Sequence, residues 1–520
     1  QKHYNNSNAH SLMMMLQSRL FAVALGFFAG ATTTCSSADH RLVDPTFFVQ
    51  GGQIANSYDP SSNEFEPPLS NDRSPARLLD MAFEVGNDNP YLLASASDDN
   101  EITLYSVFTG YENAYENYLP EGWDPSPRLI HTIRDGDYDD SSGSTSIFAL
   151  SDGGVHNYLA STTGGDGDDD AIVRIRSNDY KEDPENLLAQ PFTVLEDDSL
   201  SIPGGVTAMA FEPTIKNTNV HLKLALGRPD GVVEVYQNKN YQDFPMTKAA
   251  EFSAGNNTDG WAVEKIGFSN SYSVSQPFWM VVVYALPEGN SGLTLYEKNN
   301  YVAPRTEHVF QAKLRDFVFS NDNSKLAVLL SDGNILVYGG SRNNNFDTRI
   351  ATIPANATAL AFHANGELLY AGTSAPARVK TYSTTSWEEI SSSATAAEDS
   401  DASLDFCDSI HKMIFRPVRS ELESNYGITA LWGDEENVVH ELALLTSKED
   451  GTVPDLIAVF RVESSDPPPS ATVVPTVAST VMTTATTAAP TTASGVMLPQ
   501  SKRERTTALV ALVLLGCTII

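Results

Sequence analysis

With 520 residues, 41% of them hydrophobic, the chain is ample for a large core, and its length alone would suggest several domains. Its 66 acidic residues against 33 basic ones give a formal net charge of −33. A surface of that sign repels phosphate backbones and reads first as a solubilising coat, which argues against nucleic acid as a partner.

Residues 1–12 are polar and featureless, and Met13, Met14 and Met15 are the natural starts of translation. Arg19 then supplies a positive flank to the apolar run Leu20–Ala31, which is too short to span a bilayer comfortably. Small residues follow, with Ala31 or, preferably, Ala38 as the last residue before cleavage, so residues 13–38 read as a secretory signal peptide. Residues 39–77 read as a loosely structured lead-in with one strand, Thr46–Gln50, followed by Pro- and Ser-rich coil.

From Leu78 onward a unit recurs, each copy anchored on a residue that ends a short β-type run: Phe83, Leu150, Phe211, Phe268, Phe319, Phe362 and Phe415. Two residues before each anchor the side chain is always apolar, from Met81 to Met413. One residue before it the side chain is mostly small, as in Ala82, Ala210 and Gly267, which suits a strand where several backbones converge on one axis. Val206–Tyr236 shows the unit plainly, with runs at Val206–Phe211, Leu222–Leu226 and Val232–Tyr236 and Pro229-Asp230-Gly231 turning the chain between the last two.

Further pairs of runs repeat the pattern: Leu92–Ser97 with Ile102–Tyr105, Leu326–Leu330 with Ile335–Tyr338, Leu368–Thr373 with Val379–Tyr382, and Ile428–Gly433 with Val438–Leu442. A fourth run precedes the next anchor at Arg128–Ile133, Phe192–Leu195, Ala249–Phe252, His308–Gln311 and Arg349–Ile353, and Leu456–Val462 would close the last unit. Four strands per unit, repeated seven times, predict an all-β fold: a seven-bladed β-propeller of four-stranded antiparallel blades over residues 78–463.

Leu93–Tyr105 (LASASDDNEITLY) resembles the second half of a WD40 repeat, and Pro127–Ile133 with Ser144–Gly154 resembles the start of the next. Ser320–Tyr338 (SNDNSKLAVLLSDGNILVY) is similar in the same way. The resemblance implies a WD40-like propeller, a scaffold for binding. The chain departs from the family's pattern: its turns lack the Gly-His dipeptide, and Tyr or Leu stands where the family has Trp-Asp, so tetrads built on that His and Trp are not expected. Anchor spacing runs from 43 residues between Phe319 and Phe362 to 67 between Phe83 and Leu150, and the excess over a period of about 40–45 belongs in loops.

Loops on a rigid scaffold carry function. The richest, residues 107–124, sets Tyr111, Tyr115, Tyr118 and Trp123 among carboxylates, a composition that can stack on a sugar ring or anchor a protein partner, or can fold back over neighbouring strands. Two acidic loops alternate aspartates, Asp135, Asp137 and Asp139 in one and Asp166, Asp168 and Asp170 in the other. Such oxygens can ligate calcium, but neither loop has the Gly and Glu that make an EF-hand, and solvated loops are the plainer reading.

A propeller enzyme gathers carboxylates or histidines around its axis. The position three before each anchor instead holds Asp80, Ile147, Ala208, Lys265, Asp316, Ala359 and Lys412, with Glu264 and His411 beside them, a set better suited to ion pairs than to a metal cage. No nucleophile stands in a recognisable turn, and no phosphate-cradling Gly loop or zinc spacing occurs in the sequence.

Residues 464–494 are Pro, Thr, Ser, Ala and Val with hardly a charge, the composition of an O-glycosylated stalk. Small residues at Ala493, Ser494 and Gly495, a polar spacer and the apolar tail Thr506–Ile520 match a signal for glycosylphosphatidylinositol (GPI) attachment at Ala493 or Ser494, with a C-terminal membrane tail as the rival reading of residues 495–520. Asn256 and Asn356 are N-glycosylation sequons. Once both terminal segments are removed Cys407 has no partner for a disulfide, and it is expected as a buried small hydrophobe. Together these features predict a glycoprotein on the outer face of a eukaryotic plasma membrane, acting as a binding or adhesion module for protein or glycan partners. An extracellular propeller hydrolase or lyase, calcium-assisted or not, and a structural wall or coat protein are the alternatives.

Overall fold

The computed structural model describes residues 40–50, 53–59, 64–66, 77–83, 92–106, 127–134, 147–152, 157–162, 170–178, 193–213, 222–238, 245–255, 261–269, 279–297, 301, 303–341, 344–363, 366–393, 404, 406–416, 440–447 and 455–464. Among them the regular structure is strand, apart from a three-residue helical turn at Pro287–Gly289. Seven small antiparallel sheets stand in a ring, and the fold is a seven-bladed β-propeller. Blades I to VI, residues 78–134, 147–202, 208–253, 263–310, 314–354 and 357–393, each lay down four strands from the axis outward in chain order.

Blade V shows why these residues form strands here. Its second strand, Lys325–Leu330, buries Leu326, Ala327, Val328 and Leu329 completely, because a blade is covered on both faces by its neighbours. Such a strand reads as a continuous apolar run. The turn to the third strand, Asn334–Ser341, is closed by the Asp332 carboxylate, which accepts from the backbone N–H of Asn334 at 3.0 Å, and by Gly333 at φ +81°. The outermost strands have one face free, and Val309 and Ile350 on the outer strands of blades IV and V are 60% and 44% exposed.

All six anchor phenylalanines end their inner strands, and the seventh anchor, Leu150, lies within Ile147–Asp152. The small residue before the anchor has a more specific cause than crowding of backbones at the axis. A Cβ added to Gly267 of blade IV would lie 2.7 Å from Cζ of Phe317 of blade V, so the small residue of one blade makes room for the apolar side chain two before the anchor of the next. Tyr105, Tyr236, Tyr296, Tyr338 and Tyr382 on the third strands are all buried. The Tyr236 hydroxyl donates to Glu234 within its own blade at 2.6 Å, and the Tyr296 hydroxyl of blade IV accepts the N–H of Gly255, just past the outer strand of blade III, at 2.7 Å.

The closing blade differs from expectation. Its inner strand is Ser409–Phe415, but its second strand is His440–Ser447 and its third is Leu456–Ser464. Ile428–Gly433, expected as the second strand, lies outside the described residues, and Leu456–Val462, expected outermost, is one place further in. The fourth place is taken by the N-terminal strand His40–Gln50, antiparallel to Leu456–Ser464 with Phe47 opposite Val459 and Phe48 opposite Ala458, and the short strand Gln53–Ala55 pairs outside it. The lead-in thus contains the strand that closes the ring, longer than Thr46–Gln50.

Both faces of that strand are buried at Phe47 and Phe48. Phe47 packs with Leu78, Met81 and Phe83 of blade I, while Phe48 packs edge-on against Phe406 at 5.0 Å with Phe460 beyond it. Cys407 is buried in the same cluster as Phe48, as expected of a small hydrophobe. Within the closing blade Arg416 and Glu441, 1% and 0% exposed, form an ion pair at 2.7 Å. Paired this way, the two charges are tolerated in a core that would reject either alone.

Candidate functional site

The seven inner strands line a central channel with a cavity of about 660 Å³. Because the strands run in the same sense, equivalent repeat positions stand at the same end of it. Where the strands finish, the channel is lined by Phe83, Leu150, Phe211, Phe268, Phe319 and Phe362, an apolar collar. Where they begin, the lining is charged.

At that charged end the alternating residues read from the sequence come together in pairs. Lys412 of the closing blade reaches Asp80 of blade I at 2.5 Å, joining the two ends of the ring. Lys265 of blade IV faces Asp316 of blade V at 3.4 Å. Burial opposes the charge on Lys412, but the carboxylates of Asp80 and Asp316 outweigh it and hold the ammonium above the ordinary lysine range. Beside this ring the Glu264 carboxylate takes Lys313 at 2.9 Å and the Ser291 hydroxyl at 3.3 Å. His411 stands 2.9 Å from the Ser447 hydroxyl, and burial together with the positive charges of Arg315 and Arg77 depresses its pKa below the ordinary 6.5.

The seams between blades are stitched at the same level. The Thr207 hydroxyl lies within reach of Gly227 O of its own blade, at 3.2 Å, and of Val263 O of the next blade, at 2.6 Å. Thr358 repeats the arrangement with Gly372 O at 3.2 Å and Ile410 O at 2.5 Å. Both threonines stand four residues before their anchors. A threonine recurring at that position is a signal the sequence carried, and the reading of charges alone passed over it.

A second polar cluster lies inside blade III. Glu234, 1% exposed, accepts from Tyr236 at 2.6 Å, Lys248 at 2.9 Å and Arg228 at 3.1 Å. Burial works against its charge, yet the three donors hold its pKa below the usual carboxylate value. A carboxylate so fully occupied serves to hold the blade together and has no lone pair aimed at solvent for a ligand.

Of the metal candidates, Asp170 is described: it is exposed, and the Ser201 hydroxyl donates to it at 3.3 Å. Asp135, Asp137, Asp139, Asp166 and Asp168 lie outside the described residues, as do Tyr111, Tyr115, Tyr118, Trp123, Asn256, Ala493 and Ser494. Among the described residues no three His, Cys, Asp or Glu side chains converge as a metal site would require, and no helix is long and apolar enough to cross a membrane. Asn356 is exposed in the turn between blades V and VI, where a glycan would meet no packing.

What these features define is a seven-bladed β-propeller whose axial charges are matched between blades. No protein-family profile matches the chain, and no curated protein matches it. Among solved structures it is similar to the crystal structure of the β-propeller domain of Cps50 (Swd1) from Myceliophteria thermophila, at 10% identity and a TM-score of 0.45, over 74% of this chain and 97% of that one. That likeness is one of architecture.

Proposed function

We propose that the chain is a non-enzymatic binding or adhesion module on the outer face of a eukaryotic cell, offering its propeller to protein or glycan partners. The observation that carries this reading is the state of the channel charges. Asp80, Lys412, Lys265 and Asp316, the residues best placed on the axis for acid–base work, are engaged with one another across the seams. A hydrolase of this shape needs a carboxylate poised at an unusual pKa or paired across a substrate. What remains for function is the recognition surface of the blade connections. The leader at residues 13–38, the stalk at 464–494 and the attachment signal that follows support the address, and the exposed Asn356 sequon suits it.

The test uses the full chain expressed on cells. Phosphatidylinositol-specific phospholipase C releases it if Ala493 or Ser494 carries the lipid, and continued attachment speaks for a spanning tail. The released protein is then applied to arrays of defined glycans and secreted proteins. Selective retention is expected, reduced when Tyr115→Ala and Trp123→Ala are combined. Retention of nothing overturns the binding reading in favour of a structural coat.

A further inference from the structure

Asn356 and Thr358 form one glycosylation motif in sequence and two separate parts of the fold. Asn356 is exposed in the turn from blade V to blade VI, at the end of the ring where the inner strands begin. Its backbone is left-handed, at φ +51°, and the turn is pinned on either side: the Ala357 N–H donates to Gly333 O at 3.0 Å, and Ala355 O accepts from Lys380 Nζ at 3.4 Å. The Thr358 hydroxyl, two residues on, is turned into the seam. It lies 2.5 Å from Ile410 O of the closing blade, 3.2 Å from Gly372 O of its own blade and 3.4 Å from the Ser374 hydroxyl.

The seam between blades III and IV uses the same threonine, Thr207, but the residue two before it is Gly205, at φ +89°. In both places the fold asks for a left-handed residue followed, two positions on, by a hydroxyl for the seam. Glycine meets the first demand without steric cost, and asparagine is among the few other side chains that meet it. With asparagine in that place in blade VI, the two demands together spell the acceptor motif. A glycosyl transferase reads both of its side chains, so a hydroxyl held between two carbonyls takes the closed ring out of its reach. The growing chain has no such block. Ile410 follows Thr358 by 52 residues, which at ordinary rates of synthesis places its arrival about 3–10 s later, whereas Gly372 follows by 14.

We propose that Asn356 carries an N-linked oligosaccharide added before the closing blade docks on blade VI, and that Thr358 serves in turn as half of the acceptor motif and as the tie of that seam. The donor is an oligosaccharide on a lipid diphosphate. Transfer makes a bond from Asn356 Nδ2 to the anomeric carbon of the first sugar and breaks that carbon's bond to the diphosphate oxygen, which leaves with the electron pair while the amide gives up one proton. Closure then seats the Thr358 hydroxyl on Ile410 O and leaves the glycan on the exposed turn, at the end of the ring where the axial charges pair. This inference rests on the reading of the chain as secreted and adds the order in which modification and ring closure occur.

The experiment follows occupancy of Asn356 by glycopeptide mass spectrometry in the full-length protein expressed in eukaryotic cells, pulse-labelled under a reversible inhibitor of oligosaccharide transfer and chased after its removal. Chains made without inhibitor should be filled at Asn356. Chains that folded under inhibitor should stay empty through the chase, whereas Ile410→Pro, which breaks the inner strand of the closing blade, should be filled during it. Thr358→Ala should lose the glycan and unfold at a lower urea midpoint than Asn356→Gln, which loses the glycan and keeps the seam hydroxyl. Thr207→Ala should unfold at a lower midpoint than the native protein and keep the glycan. An empty Asn356 in uninhibited chains, or filling of folded native chains during the chase, overturns the proposal, and equal midpoints for Thr358→Ala and Asn356→Gln overturn the second role of the threonine. Asn256 filled beside an empty Asn356 would remove this inference alone, whereas a chain that never enters the secretory pathway would remove the reading of its address as well.

Discussion

Blade V and the closing blade share one four-stranded core made in two ways, the closing blade carrying the short Gln53–Ala55 outside it. In blade V all four strands lie within residues 314–354, and each pairs with the strand next to it in sequence through a short turn. In the closing blade the third strand, Leu456–Ser464, pairs with His40–Gln50, from the other end of the chain. The first kind of blade is written locally, in turn residues and alternation. The second is written only in the match between two distant apolar edges, and it turns an open array of blades into a closed ring. One consequence is kinetic: local hairpins can form early, while the closing pairing bears the loop-closure entropy of nearly the whole propeller.

Removing residues 40–50 should break that comparison most severely. The apolar edge of Leu456–Ser464 would be bared, and loss of cooperative unfolding with aggregation is expected by calorimetry and light scattering. A gentler form truncates one buried ring in each blade. Phe48→Ala and Phe346→Ala, at 1% and 0% exposure, should each cost about 3–5 kcal/mol. Stopped-flow kinetics should then separate them, with Phe48→Ala accelerating unfolding and Phe346→Ala slowing refolding. Slower refolding of Phe48→Ala would show that closure is not the late step.

Gly333→Ala tests the local blade by its turn. At φ +81° the new Cβ would be strained and would lie 2.7 Å from Cα of Asn356, so a loss of about 1–3 kcal/mol is expected in urea denaturation. A neutral result would mean that the turn does not set the register of blade V.

The smallest expected effect is on pH. His308 is half-buried beside Tyr338 of blade V, with its ring 3.0 Å from Phe346 O, and His411, also half-buried, belongs to the closing blade; desolvation depresses the pKa of both. The folded protein therefore binds fewer protons than the unfolded chain once pH falls below 6.5, and stability present above that value declines as pH falls toward the folded pKa values. The denaturation midpoint should drop between about pH 7.5 and about pH 5.5, with a shallower drop for His308→Gln and for His411→Gln. A midpoint that rises on acidification would contradict the desolvation of both rings.

The sequence by itself determined the repeat. An aromatic ends the strand nearest the axis because that side chain fills the seam, the residue before it is small because the next blade's side chain enters there, and Asp-Gly turns mark where the chain reverses. These causes act within a few residues, and they made seven blades and their axial charges legible. The partners of those charges were a different matter. Lys412 finds Asp80 across 332 positions, and only closure of the ring brings them together. The same holds for His40–Gln50, whose apolar residues suit an outer strand as well as a coil until Leu456–Ser464 offers its edge. Local chemistry fixed the blades, and tertiary structure decided how the ring is closed and which charges along its axis pair, because both depend on contacts between residues that no short-range pattern links.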